Sequence, residues 1–136
     1  MAAAGYSGTP LPRKLGIGPG SRLMLLHAPD GFDDTLGELP DHVTVVRRLN
    51  GHADVVVAFI DRRAHLERAI ERLERVIFPA GGLWIGWPKK ASKVPTDMTE
   101  DVVREVALPR GLVDNKVCAI DEVWSGLRLV WRTERR

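Results

Sequence analysis

The chain has a single cysteine, Cys118, among 136 residues. One thiol cannot close an internal disulfide, and it cannot build a zinc site with other thiols. Its neighbours Val117, Ala119 and Ile120 are apolar, which predicts a buried strand thiol, since free cysteine is among the most buried residue types. Long hydrophobic runs are also missing. The longest is Val55 to Ile60, far short of the ~20 residues of a membrane span. Met1 to Leu15 has no apolar signal core, so a cytoplasmic location is expected. Charge of one sign is scarce as well. Twenty basic residues face eighteen acidic ones, for a net charge of +2. Such a mixed surface argues against a nucleic-acid footprint, which is kept as a third reading. His42, His52 and His65 lie in separate segments without metal-ligand spacing, so no metal is expected.

What is present fits one globular domain, with 44% hydrophobic and 28% charged residues. Residues 1–20 are rich in Gly, Pro, Ala and Ser. They predict an N-terminal arm without regular helix, packed on the domain from about Leu11. Residues 21–136 form the domain. Strands are predicted at Leu23 to Leu26 or His27, Val43 to Arg47, Ala53 to Ile60 and Leu83 to Trp87. Two more follow at Lys116 to Ile120 and Leu127 to Arg132, joined by a turn around Trp124-Ser125-Gly126.

A short helix is expected over Asp33 to Leu39. A longer one, capped by Asp61, carries Leu66, Ala69, Ile70, Leu73, Val76 and Ile77 on one stripe. A third begins with capping-box spacing at Asp97 and Glu100 and stops at Pro109. The alternation predicts a three-layer, Rossmann-like α/β sandwich, with a reduced, mixed sheet of about six strands and a C-terminal β-hairpin. The link Leu49-Asn50-Gly51-His52 is too short for a helical crossover, and Asn-Gly is a hairpin signal. The second strand is therefore expected to pair antiparallel with the third, with a truncated, distorted parallel connection as the alternative.

From Val55 onward the chain resembles the second half of the class I methyltransferases. Ala53 to Phe59 looks like that family's fourth strand. The helix to Ile77 with Pro79-Ala80-Gly81-Gly82-Leu83-Trp84-Ile85 looks like its Pro-Gly-Gly leader and fifth strand. The family has a Gly-rich turn after its first strand and an acidic residue ending its second. Here stand His27-Ala28-Pro29-Asp30-Gly31 and Arg47-Arg48. Pro29 has no N–H to donate and the arginines offer ribose no acceptor. No bound cofactor, and no tight S-adenosylmethionine binding, is expected.

The whole chain is similar to bacterial domain-of-unknown-function family 3052. The likeness rests on Gly5 to Leu11, Trp87-Pro88-Lys89-Lys90-Ala91-Ser92, Thr96 to Arg104, Asn115 to Glu122 and Trp124 to Leu127.

In open α/β sheets ligands sit outside the carboxyl ends of the strands. Candidates there are His27 and Asp30, Asp61 and Arg62, and Lys89, Lys90, Ser92, Lys93 and Thr96. The lysines, the two hydroxyls and the start of the helix near Met98 are expected to hold an anion, either a small molecule or an acidic protein surface. His27 and Asp61 are a candidate acid–base pair. Trp124, beside a turn, is the candidate exposed contact. The first functional reading is a non-catalytic, ligand- or partner-binding regulatory module. The second is a group transferase, related to methyltransferases, with a remodelled cofactor pocket.

Overall fold

A computed structural model describes residues 8–136. The motif segment Gly5 to Ser7 lies outside the described residues. The elements are α1 (Leu11–Lys14), β1 (Arg22–Leu26), α2 (Phe32–Leu36), β2 (Thr44–Val46), β3 (Val55–Phe59), α3 (Arg63–Ile77), β4 (Gly82–Pro88), α4 (Glu100–Ala107), β5 (Leu112–Ala119) and β6 (Trp124–Trp131). They build one mixed six-stranded sheet in the order β2-β1-β3-β4-β6-β5. Only β6 runs against its neighbours, pairing antiparallel with both β4 and β5.

β3 is central and buried at every position, as a run of Val, Ala and Phe covered on both faces should be. Strand side chains alternate between faces. Met24, Leu26, Val56, Ala58, Leu83 and Ile85 therefore pack with the apolar stripe of α3 and with Val103 and Ala107 of α4. Leu23, Leu25, Val55, Val57, Phe59 and Trp84 pack on the other face with Leu11, Leu15, Phe32 and Leu36. The arm is part of this second core. Leu15 is fully buried, and Trp84 Nε1–H donates to the Leu15 carbonyl at 2.9 Å.

Several expectations need correction. The arm does hold one helical turn, α1, with Pro12 in its first turn, where the missing N–H would be unpaired anyway. The Asn50-Gly51 hairpin does not form. β2 runs parallel to β1, in the register Arg22 to Thr44, and β1 separates it from β3. Because β2 is only three residues long, an extended strap over residues 47–54 can return the chain without a helix. Leu49 packs the strap onto the α3 core. The Ala53 N–H donates to the Val76 carbonyl at 3.0 Å, and Arg22 Nη2 donates to the Asn50 carbonyl at 2.9 Å. Gly51, at φ +73°, makes the bend.

Asp61 does not cap α3. The N-cap is Arg62, and Asp97 Oδ1 reaches across to accept from the Arg63 N–H at 2.8 Å. The Asp97–Glu100 capping box is absent for the same reason. Thr99 caps α4 instead, accepting from the Val102 N–H. The last hairpin turns at residues 120–123, before the predicted place. Asp121 Oδ1 accepts from the Val123 and Trp124 N–H groups, both at 2.8 Å, which leaves Trp124 to Gly126 free to pair with β4. At the end of α3, a Cβ on Gly81 would lie 2.8 Å from the Ala53 carbonyl oxygen, so this close approach requires glycine.

Candidate functional site

β1, β3 and β4 are parallel, so their carboxyl ends share one rim. The helix after β1 packs on one face of the sheet and the helix after β3 on the other. The crevice between β1 and β3 is thus the topological switch point, the place where open α/β sheets bind ligands.

A cavity of about 410 Å³ opens there on the α3 side. Its floor is Leu26, Leu49, Ala58, Ile60, Ala69 and Leu73, and its other lining residues are His27, Arg47, Arg48, His65 and Arg72. The strap explains the space. A helix is about 10 Å across with its side chains, and an extended segment standing in its place leaves room beside α3. His65, Ala69 and Arg72 stand along one ridge of α3, at i, i+4 and i+7. Arg47 and Arg48 come from the strap opposite.

The rim is strongly basic. Arg47 is held by Asp33 at 3.0 Å. Arg48 and Arg72 have no carboxylate partner among the described residues. His27 is exposed and sits in the left-handed region at φ +58°, a conformation uncommon outside glycine and one that clusters at functional sites. Its ring meets the His65 ring edge-on, with centroids 4.9 Å apart. Burial pushes the His65 imidazole below its ordinary pKa, the charges of His27 and Arg68 add to this, and Asp61 opposes it.

The other sequence candidates take different parts. His27 makes no hydrogen bond to Asp61 among the described residues; its ring partner is His65. The Asp61 carbonyl accepts from Thr96 Oγ1 at 2.6 Å, and Thr96 Oγ1 accepts from the Met98 N–H at 3.0 Å. Ser92 Oγ donates to the Lys89 carbonyl at 2.7 Å and accepts from the Val94 N–H. Both hydroxyls are therefore committed to loop geometry. Lys90 and Lys93 are exposed, Lys89 is half-buried, and Asp30 and Arg62 are exposed.

The start of α4 is not positioned for an anion. Its first turn holds Glu100 and Asp101, and Thr99 already occupies the cap, so the dipole is complemented from within the chain. Trp124 is half-buried, not a free contact. It meets Phe59 edge-on at 5.1 Å, and Phe59 meets Phe32 at 4.9 Å. These three rings pack together on the α2 face of the sheet. Burial pushes the Cys118 thiol above its ordinary pKa, only partly offset by Lys14 and Lys116, and so disfavours the nucleophilic thiolate.

Sequence reasoning missed Arg48, Arg72 and His65 as a set. The ridge spacing of His65, Ala69 and Arg72 was a usable signal, because two basic groups flank a small residue on one helix face. Nothing in the sequence put the strap opposite them. A larger groove of about 890 Å³ lies between the arm and α2 and reaches the end of β5 at Ala119 and Ile120. Arg13, Lys14 and Glu38 line it, and Lys14 donates to the Ala119 carbonyl. Among the described residues, no three His, Cys, Asp or Glu side chains gather as a metal site. No described helix is long and apolar enough to cross a membrane.

No protein-family model and no curated protein matches the chain. Solved structures do. A candidate type 11 methyltransferase from Sulfolobus solfataricus is 14% identical, with 90% of each chain covered and a TM-score of 0.60. A SAM-dependent methyltransferase from Aquifex aeolicus is 15% identical over 86% of this chain and 85% of that one, with a TM-score of 0.56. Fibrillarin from Aeropyrum pernix, solved with natively bound S-adenosyl-L-methionine, is 12% identical over 93% and 70%, also at 0.56. The fold is thus the Rossmann-like α/β fold of the class I methyltransferases. At these identities the likeness concerns fold, and function rests on the site.

Proposed function

We propose that this chain is a non-catalytic regulatory module that binds an anionic small molecule in the arginine-rimmed crevice of a methyltransferase-like scaffold. One observation carries the reading: Arg48 and Arg72, free of carboxylates among the described residues, both line a cavity at the switch point. An acidic protein surface is the other occupant such a rim would attract. The chain acts in the cytoplasm on this reading. We also propose membership of domain-of-unknown-function family 3052, on the motifs Trp87 to Ser92 and Asn115 to Glu122.

The same rim argues against S-adenosylmethionine. That cofactor carries a sulfonium and an ammonium against one carboxylate, so it is net positive. Residues 28–31 line neither cavity, so the turn after β1 offers no pocket of the kind that cofactor needs. The likeness to methyltransferase structures favours the second reading, a group transferase with a remodelled pocket. Calorimetry decides between them: the module shows no binding of S-adenosylmethionine in the low micromolar range, and the transferase shows it.

The anion site is tested with 8-anilinonaphthalene-1-sulfonate, a fluorescent anion with an aromatic body. One site per chain is expected, weakened about tenfold by either Arg48→Ala or Arg72→Ala, the size of one charge-assisted hydrogen bond. Binding that neither substitution alters would contradict the proposal.

A further inference from the structure

We infer that the crevice takes an amphipathic organic anion, an acyl or aryl body carrying one carboxylate, sulfonate or phosphate, with the body inward and the head group on the arginine rim. This rests on the anion-binding reading above and names the ligand class for the same site. The lining is segregated by polarity. Every inner residue is apolar: Leu26, Ala58, Ile60 and Leu73 are buried, and Leu49 and Ala69 close the walls. Every polar lining residue is a basic one at the mouth. Among the described residues, no carboxylate, amide or hydroxyl side chain lines the cavity.

A sugar or nucleoside would bring hydroxyls to walls that offer no side-chain partner, and buried polar groups left unpaired weaken binding. A bare inorganic ion would use the rim and leave the apolar floor wet. An apolar body with one charged end satisfies both parts. The cavity volume of about 410 Å³ suits a small molecule.

The two walls have separate duties. Arg48 from the strap and Arg72 from α3 grip the head from either side, while Arg47 is already shared with Asp33. The edge-on pair of His27 and His65 closes the end of the mouth. Burial favours the neutral form of His65, which lets an apolar chain lie against it.

The test is a calorimetric series of straight-chain carboxylates from butyrate to decanoate, with decanol as the uncharged control. The expected result is a gain of about fourfold per methylene until the cavity is full, from the free energy of burying one CH₂, and decanol about tenfold weaker than decanoate. Ala69→Phe, which adds bulk from α3 and leaves the rim charge alone, should flatten the dependence on chain length. Thermal unfolding checks that this variant is folded. If butyrate and decanoate bind alike, and Arg48→Ala and Arg72→Ala weaken both, the anion site stands and the apolar body is wrong. If the carboxylates bind no better than decanol and neither arginine variant matters, both readings fall.

Discussion

The two flanks of α3 use arginine in opposite ways. On the α4 flank each arginine is answered by carboxylates. Arg63 pairs with Glu67 and Glu105, Arg104 with Glu100, Asp101 and Asp114, and Arg110 with Glu74. On the strap flank, Arg48 and Arg72 meet no carboxylate among the described residues and stand over an apolar hollow. The first set holds elements together. The second set has no such partner among the described residues, as the proposed anion site requires. Residue type does not separate structure from binding here; the presence of a partner does.

The largest effect should come from breaking the tied flank. Arg110 donates to both oxygens of Glu74, at 2.7 and 2.8 Å, and the Glu74 side chain is nearly buried. Arg110→Ala strands that carboxylate and should cost on the order of 3 kcal/mol in urea unfolding. A cost near zero would mean that the tied flank is as dispensable as the free one. Next comes the loop that joins the flanks. Thr96→Val removes one hydrogen bond to the Asp61 carbonyl and one from the Met98 N–H, and should cost about 1–2 kcal/mol. Arg48→Ala and Arg72→Ala should instead leave stability within about 0.5 kcal/mol while weakening anion binding, the reverse of Arg110→Ala.

A smaller effect concerns pH. The folded-state pKa of His65 lies below its ordinary value of 6.5, chiefly through burial. The unfolded chain therefore takes up the proton first, and stability rises with pH through that window. Urea midpoints should hold above pH 6.5 and fall below it, and His65→Gln should reduce the fall. An equal fall in the variant would remove His65 from the account. The smallest effect belongs to the lysine loop. Lys89→Ala with Lys90→Ala should change neither stability, beyond about 0.5 kcal/mol, nor the binding of the sulfonate probe.

Much of the fold was legible because local pattern and packing agree. The Val-rich run at Val55 to Phe59 and the stripe from Leu66 to Ile77 became the central strand and the main helix. The parallel β2 was not legible, because the Asn50-Gly51 signal is local and the strap's contacts with Val76 and Arg22 are not. The same gap hid the site. Lys89, Lys90 and Lys93 are adjacent in sequence, so they read as a cluster. Arg48 and Arg72 are separated by β3, and only the strap's return puts them on one rim. Ser92, Thr96 and the start of α4 looked available because their internal partners, Lys89, Asp61 and Thr99, act through backbone and cap geometry that composition does not reveal.

The most direct test of this contrast is a two-dimensional amide spectrum of labelled protein titrated with decanoate. The account predicts saturable shifts at Leu26, His27, Arg48, Leu49 and the His65 to Leu73 stretch of α3, with Lys89 to Thr96 unmoved. Shifts centred on Lys89 to Thr96, with the crevice silent, would contradict it.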